Sequence, residues 1–245
     1  MLNEPTTEKL KALHLYAMNA AWIAQRGDPS VGDVDFDGRF GMLVDAETLA
    51  RDNKRVARAL REAKLRIPGA CLEDVDCSPK REIERSLVRQ LATGRWIADH
   101  VNVLVTGATG VGKTYLACAL GQLACRTGFR AAYRRVPRLF EELALAHADG
   151  TYIRALQRLA KVDVLILDDW GLAPLTDQQR RDVLEIVEDR YGARSTVITS
   201  QLPVEKWHDH LGDPTIADAV LDRVVHHAHR LKLKGPSGRK TKTEA

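Results

Sequence analysis

The chain has 245 residues, of which 37 are Lys or Arg and 33 are Asp or Glu, so its formal net charge is only +4 at pH 7. This length is enough for one α/β core and a small additional module. No apolar run reaches the roughly 18 residues of a membrane-spanning helix, and residues 1–11 lack the apolar segment of a signal peptide. The composition argues against a membrane protein and predicts a soluble, cytoplasmic one.

Two helices are predicted in the N-terminal part of the chain. The first has apolar residues at helical spacing and ends at Gly27-Asp28-Pro29. The second runs from about Asp45 to Arg66 and has one apolar stripe. Its remaining surface is basic: Arg51, Lys54, Arg55, Arg58, Arg61, Lys64 and Arg66. Pro68-Gly69 then opens a linker, so we expect an all-helical domain over residues 1–68.

The most specific motif is the run Gly107-Ala108-Thr109-Gly110-Val111-Gly112-Lys113-Thr114, which matches the phosphate-loop pattern G-x-x-x-x-G-K-[ST]. Residues 101–106 before it have the composition of a buried strand, and residues 115–127 have helical apolar spacing. The glycines let backbone N–H groups surround a phosphate at the start of that helix. Lys113 adds charge near the β- and γ-phosphates, and Thr114 is placed to bind Mg²⁺. The motif predicts a nucleoside triphosphatase that uses Mg²⁺.

A second acidic motif supports this prediction. Residues 164–167 form an apolar run typical of a central parallel strand, and Asp168-Asp169 follows directly. Ligands of open α/β sheets lie at the carboxyl ends of the strands, so both carboxylates should face the phosphate loop. We expect Asp168 to hold Mg²⁺ and Asp169 to polarise the attacking water. A helix-capping pair of aspartates is the structural alternative.

The next predicted strand, residues 195–199, ends in Ser200-Gln201. In the AAA+ branch of phosphate-loop ATPases, this strand carries a polar sensor side chain that helps to position water beside the γ-phosphate. Gln201 is the candidate for this role and Ser200 is its competitor. Ser and Gln are also frequent turn residues, which leaves a structural role open.

The last predicted helix carries an apolar face that includes Val220 and Val224, and Arg223 lies off this face. An exposed Arg here can reach the nucleotide of a neighbouring subunit, with Arg230 as the next candidate. A surface pair with Asp218 or Asp222 is the alternative.

The C-terminal residues 231–245 form a basic tail in this interpretation, which leaves no room for a helical lid over the nucleotide. We therefore expect an ATPase domain over residues 69–230 and an oligomer in which neighbouring subunits complete each other's sites.

Basic residues suggest a nucleic-acid partner. They occur in the second helix, in the tail, and as a third group, Arg134, Arg135 and Arg138, after the phosphate-loop helix. Lys and Arg that neutralise phosphates give largely sequence-independent binding to duplex DNA. A merely solvated basic surface is the alternative, and pairing with Glu141 or Glu142 is a further one for the third group.

Beyond the two nucleotide motifs, several segments resemble the IstB-type transposition helper ATPases, relatives of the DnaC helicase loaders and the DnaA initiator. The resemblance covers nearly the whole chain. The matching segments are Leu-Asp-Asp-Trp-Gly at 167–171, Glu-Asp-Arg-Tyr-Gly at 188–192, Thr-Ser-Gln-Leu-Pro at 199–203 and Ala-Asp-Ala-Val-Leu-Asp-Arg at 217–223.

The resemblance implies an AAA+ ATPase of a bacterial insertion sequence, with a three-layer α/β core around a parallel sheet. Such a protein binds DNA non-specifically, assembles into rings or spirals, and assists a partner transposase. It also implies that Lys113, Thr114 and Asp168 bind nucleotide and Mg²⁺, that Asp169 is the catalytic base, and that Arg223 is the arginine finger. Asp169 departs from the wider AAA+ pattern, in which the longer Glu is usual.

Other functions remain as alternatives at this point. A DnaC-type helicase loader would share the ATPase core but bind a helicase through its N-terminal domain. A small-molecule kinase would need an acceptor pocket and a lid. A nucleotide-free DNA-binding protein would show no saturable ATP binding.

Overall fold

The computed structural model describes residues 4–236 and divides the chain into two compact units, with the boundary between Arg58 and Ala59. This boundary precedes the sequence-based one after residue 68. The reason is that Ala59 packs against the hydrophobic core of the second unit, and that Ala63 and Leu65 belong to this core.

The first unit consists of helices. They are α1 (Glu4–Ala12), α2 (Tyr16–Gly27) and α3 (Phe36–Ala63), the last of which runs across the boundary. The prediction of a single first helix is wrong, because His14, with φ of 58°, separates α1 from α2.

Helix α3 is longer at its start than predicted. The side chain of Asp35 accepts a hydrogen bond from Gly38 N at 2.9 Å, which satisfies a free N–H of the first turn. At the other end, Lys64 has φ of 51° and stops the helix before Arg66. Gly38 and Gly41 lie inside this first part of α3, where their low helix propensity hid the helix from a sequence-based prediction.

A buried carboxylate ties the helices of the first unit together. Glu47 of α3 accepts hydrogen bonds from Ala17 N (3.0 Å) and Met18 N (3.1 Å) at the start of α2. It also pairs with Arg51 at 2.8 Å. The bond from Met18 N is the largest cause that lowers the pKa of Glu47 below its ordinary value.

The second unit alternates strands and helices. Its strands are β1 (Asn102–Gly107), β2 (Ala131–Arg135), β3 (Val164–Trp170), β4 (Ser195–Ser200) and β5 (Ala228–Leu233). Its helices are α4 (Arg85–Ala92), α5 (Arg95–Ala98), α6 (Lys113–Arg126), α7 (Val136–Ala148), α8 (Tyr152–Ala160), α9 (Asp177–Glu188), α10 (Trp207–Leu211) and α11 (Pro214–Val225). None of the helices within residues 4–236 is long and apolar enough to cross a membrane.

All five strands are parallel, in the order β2-β3-β4-β1-β5. Successive side chains of a strand point to opposite faces, so each central strand supplies two cores. Val103 and Ile166 lie in one core with α6, whereas Leu104 and Leu165 lie in the other with α7, α9 and α11. The predicted three-layer α/β fold is confirmed.

A glycine allows α6 to pack closely on the sheet. A Cβ atom at Gly121 would lie 2.7 Å from Ile166 Cδ1 and 2.8 Å from Leu65 Cδ2. The segment after α3 therefore reaches the same layer as α6, which brings residues just beyond Leu65 towards the end of β3.

The prediction of a tail that begins at residue 231 is wrong. Helix α11 ends at Val225, and residues 228–233 form β5 at the edge of the sheet, paired with β1. The strand alternates buried Leu231 and Leu233 with exposed Arg230 and Lys232, the pattern of an edge strand with one covered face. Arg239, Lys240 and Lys242 of the predicted tail lie outside the described residues.

Candidate nucleotide-binding site

The phosphate loop connects β1 to α6, as predicted. Gly110 and Gly112 have φ of 86° and 105°, conformations that favour glycine. Gly107 is fixed by space as well, because a Cβ atom there would lie 2.3 Å from Leu233 O of β5. Lys113 Nζ donates to the carbonyl oxygens of Gly107 and Ala108, both at 2.8 Å. The loop therefore curls around the ammonium group at the position where a phosphate is expected.

Asp168 is fully buried at the end of β3 and faces the start of α6. The hydroxyl of Thr114 lies 3.1 Å from each of its carboxylate oxygens. Tyr133 of β2 donates its phenolic O–H to the same carboxylate at 2.5 Å, and Thr199 of β4 donates its hydroxyl as well. Side chains from three elements, α6, β2 and β4, thus converge on this one carboxylate of β3.

Tyr133 and Arg66 form a second layer behind Asp168. Burial raises the pKa of Tyr133, and the hydrogen bond to Asp168 raises it further, so the phenol stays protonated. Arg66 Nη1 lies 3.8 Å from Asp168 Oδ2. Its pKa is raised, first by a hydrogen bond to Tyr133 and then by the nearby carboxylates. The negative charge of Asp168 is balanced from this side.

A β-bulge places two consecutive aspartates at one site. In a regular strand, Asp168 and Asp169 would point to opposite faces. Here the pairing of β3 with β4 shifts between Leu167 and Trp170, and Asp169 has φ of 65°. Its backbone N–H donates to Thr199 Oγ1 at 3.2 Å. Bulges often re-aim side chains beside active sites, and this one turns Asp169 towards the same edge.

The Asp169 side chain is engaged in ion pairs. Its Oδ2 accepts from Arg135 Nε at 2.8 Å and lies 4.0 Å from Arg66 Nη1. Asp169 is only partly buried, and its other oxygen is not involved in these contacts. A carboxylate held in this way has a fixed orientation, which a base that activates one water molecule requires.

The two sensor candidates at the end of β4, Ser200 and Gln201, make different contacts. Gln201 Oε1 accepts from Thr109 of the phosphate loop at 2.8 Å, so the preferred sensor candidate does reach the loop. Ser200 is fully buried and bonds to Trp170 O (2.8 Å) and Leu202 N (3.0 Å). Thr199, not considered in the sequence analysis, contacts both aspartates.

A cleft of about 190 Å³ lies beside the phosphate loop. Its walls are largely apolar, with Val75, Ile83 and Leu233 among the lining residues. Arg81 borders the cleft and donates Nη1 to Pro236 O at 2.7 Å and to Val111 O at 3.4 Å. Arg81, which lies in the linker before α4, therefore contacts both the phosphate loop and the segment after β5.

Arg223 lies beside the amino-terminal ends of the strands, whereas the phosphate loop follows the carboxyl-terminal end of β1. Its backbone carbonyl accepts from the side chain of Asn102, the first residue of β1, at 3.2 Å. The phosphate loop begins at Gly107, the last residue of β1. With ~3.3 Å per residue, the two ends of this strand are roughly 16 Å apart. Arg223 therefore cannot reach the phosphate loop of the same chain.

The surface pairs suggested as an alternative for Arg223 do not form. Asp218 pairs with His208 (3.3 Å) and Asp222 with His226 (3.4 Å). Arg223 instead pairs with Glu188 of α9. Arg230 lies in β5 beside Leu104, so it is not on the helix that carries Arg223.

The basic residues proposed for DNA differ in their surroundings. In the first unit, Lys54, Arg55 and Arg58 are exposed, with Arg55 paired to Asp52 at 3.2 Å, whereas Arg51 holds the buried Glu47.

The third basic group is divided in the same way. Arg134 lies 3.6 Å from Glu142, the alternative considered for it, and Arg135 holds Asp169. Arg138 is exposed at the start of α7.

The described residues contain no group of three or more His, Cys, Asp or Glu side chains suited to a metal ion. Cys71, Cys77, Cys118 and Cys125 are free thiols. Thr114 and Asp168 nevertheless match the hydroxyl and carboxylate that the phosphate-loop motif uses for Mg²⁺ together with phosphate oxygens.

The strand order β2-β3-β4-β1-β5, with a phosphate loop after β1 and a buried carboxylate near the end of β3, defines a phosphate-loop nucleotide-binding fold. The family model described as IstB-like ATP binding protein matches residues 8–245. The chain belongs to this family of IstB-like ATP-binding proteins, which confirms the resemblance.

Two relatives are named as ATP-binding proteins of insertion sequences. The protein y4pL of Sinorhizobium fredii is 48% identical over 240 residues, which cover 98% of each chain. The IS1162 protein of Pseudomonas fluorescens is 50% identical over 203 residues, which cover 83% of this chain and 88% of the relative.

Solved structures share the fold. DnaI has a TM-score of 0.58 at 24% identity, and the match covers 73% of this chain and 94% of DnaI. The DnaC helicase loader has a TM-score of 0.56 at 22% identity, covering 67% and 97%. DnaA bound to AMPPCP and single-stranded DNA has a TM-score of 0.56 at 19% identity, covering 68% and 50%.

Proposed function

We propose that this protein is an AAA+ ATPase that hydrolyses ATP as an oligomer on DNA and assists the transposase of an insertion sequence. The observation that carries the proposal is the position of Arg223 beside the amino-terminal end of β1, at the other end of this strand from the phosphate loop. An arginine so placed can act only on the nucleotide of another copy, which makes assembly a condition of activity.

Each residue of the site has a role in this proposal. The loop amides and Lys113 bind the β- and γ-phosphates, and the adjacent apolar cleft takes the adenine base. Thr114 and Asp168 hold Mg²⁺, which neutralises phosphate charge when it is bound. Asp169 accepts a proton from the attacking water, while Thr199 and Gln201 fix the geometry around it. Arg223 of a second copy stabilises the charge on the transferred phosphoryl group.

DNA binding is assigned to exposed basic residues. Lys54, Arg55 and Arg58 in the first unit and Arg138 in the second are exposed and supply positive charge at the surface. Contacts of this kind go to phosphates and are largely independent of sequence. Arg51 and Arg135 are assigned to Glu47 and Asp169, the largely buried carboxylates that they hold, and Arg134 is left out because its own side chain is only partly exposed.

A transposase is the proposed partner because the close relatives are named for insertion sequences. The structural similarity to DnaC and DnaI concerns the fold alone. A pull-down with the transposase of the same insertion sequence and, in parallel, with the replicative helicase separates the two partners. Capture of the helicase alone would favour the loader function.

Particle sizing tests the assembly directly. The protein is measured alone, with a non-hydrolysable ATP analogue, with duplex DNA, and with both, and ATP turnover is followed with and without DNA. We expect large particles and faster turnover when both ligands are present. A monomer under all conditions, with turnover independent of DNA, would contradict the proposal and favour a small-molecule kinase.

A further inference from the structure

We infer that Glu188 and Tyr191 are positioning residues that fix Arg223 for its action on the nucleotide of a second copy of this chain. This inference rests on the proposed function, which assigns the finger role to Arg223. Glu188 is the last residue of α9, and Tyr191 lies in the turn that follows it, so one short segment supplies both.

The guanidinium of Arg223 is held by three groups. Its Nε pairs with the carboxylate of Glu188, and its Nη1 donates to Ala219 O at 2.8 Å. Its Cζ lies 5.8 Å from the centroid of the Tyr191 ring, within the range of a cation–π contact. Within residues 4–236, no hydrogen bond occupies Nη2. The terminal nitrogen therefore remains available for a phosphate oxygen while the rest of the side chain is fixed.

Two features favour positioning over neutralisation of the finger by Glu188. The closest contact of the carboxylate is with Nε, the guanidinium nitrogen nearest the backbone, and within residues 4–236 it accepts no hydrogen bond from Nη2. Glu188 is also 55% exposed, and in such a setting of high dielectric an ion pair orients a side chain while cancelling little of its charge. A cation already held in place stabilises a transition state without the cost of reorganisation.

The surroundings of Arg223 suit an anionic ligand. Arg223 and Tyr191 line a cleft of about 260 Å³ together with Arg190 and Arg194. Arg190 is 2% exposed and donates to Leu159 O (2.7 Å), among other acceptors. The hydrogen bonds of Arg190 go to acceptors within the protein, so it adds positive charge beside this cleft, which Asp99 also lines, without contacting a ligand itself.

The test compares ATP turnover of assembled, full-length variants over a range of ATP concentrations. Glu188→Gln keeps the size of the side chain and removes its charge. We expect kcat to fall about 10- to 100-fold with little change in KM, less than the ~10³-fold or greater loss from removing a finger. Tyr191→Leu, which lacks the ring, should behave in the same way, whereas Tyr191→Phe should retain most of the activity. Glu185→Gln, one turn earlier on α9 and also exposed, is the matched control and should be unaffected.

Mixing distinguishes positioning from a structural defect. Glu188→Gln subunits keep an intact phosphate loop, so Lys113→Ala subunits with an intact finger should restore turnover to them. Wild-type or higher kcat for Glu188→Gln, or equal activity of Tyr191→Leu and Tyr191→Phe, would overturn the inference. If Arg223→Ala itself is fully active, the proposed finger is wrong; if Arg223→Ala is inactive but Glu188→Gln is normal, only the positioning role is wrong.

Discussion

The hydroxyl of Thr114 and the carboxylate of Asp168 lie within 3.1 Å of each other, although 53 residues separate them in the chain. Thr114 lies in the first turn of α6 and Asp168 lies near the end of β3, so the fold brings the two proposed Mg²⁺ ligands to one point. The proposed function requires that ATP binds at this point.

Replacement of Lys113 tests the phosphate loop. Lys113→Ala removes the charge that faces the β- and γ-phosphates, and a charged hydrogen bond contributes about 1.5–3 kcal/mol. We expect ATP affinity to fall by at least ~10-fold, measured by fluorescent nucleotide titration. Lys206→Ala, an exposed lysine far along the chain, is the control. Unchanged affinity in Lys113→Ala would refute the assignment of the loop.

Replacement of Asp169 tests the base. Asp169→Asn keeps the volume and can keep the contact with Arg135, but it cannot accept the proton of water. We expect normal ATP binding and a loss of turnover of about 10²- to 10⁴-fold. Asp45→Asn, at an exposed position of α3, controls for a general loss of charge. Wild-type turnover of Asp169→Asn would place the base elsewhere.

The parts of this site that were predictable from sequence are the local ones. A phosphate loop is contiguous, and an acidic pair after an apolar run indicates the end of a central strand. Tyr133, Thr199 and Arg66 join Asp168 only through the pairing of distant strands and the packing beside α6, which no local pattern records. The bulge that aims Asp169 likewise depends on the register between β3 and β4.

Two elements of the fold escaped prediction for different reasons. Strand β5 is short and carries basic residues on its exposed face, so residues 228–233 resembled a helix end followed by a basic tail. The start of α3 contains two glycines, which disfavour a helix locally, but the Asp35 cap and the bonds of Glu47 to α2 stabilise it there.

Salt dependence tests the DNA surface. Lys54→Gln, Arg55→Gln and Arg58→Gln together should lower the slope of log K against log salt by about 0.9 for each DNA phosphate that the variant no longer neutralises. Affinity should depend little on the DNA sequence. Arg134→Gln is the control, since this side chain is held by Glu142. An unchanged slope in the triple variant would show that the basic part of α3 serves another partner.

Acidification tests the environment of His210. Burial lowers the pKa of His210, whose Nε2 is buried without a hydrogen bond in the described residues. Below about pH 6.5 His210 is protonated in the unfolded chain, whereas its lowered pKa keeps it neutral in the folded state. The free energy of unfolding therefore falls as the pH drops. Urea unfolding at about pH 7.5 and 5.5 should show a smaller loss for His210→Phe than for the wild type. His208→Gln is the control, and an equal loss in His210→Phe would contradict the prediction.

The most direct test of the central claim, a site shared between two copies, is the mixing of two inactive variants. Arg223→Ala retains the phosphate loop, and Lys113→Ala retains the finger. In an equal mixture that assembles at random, about one quarter of the interfaces pair an intact loop with an intact finger. We predict that ATP turnover, measured with duplex DNA, recovers to a comparable fraction of the wild-type rate. Full activity of Arg223→Ala alone, or a mixture no more active than its separate components, would contradict the shared site.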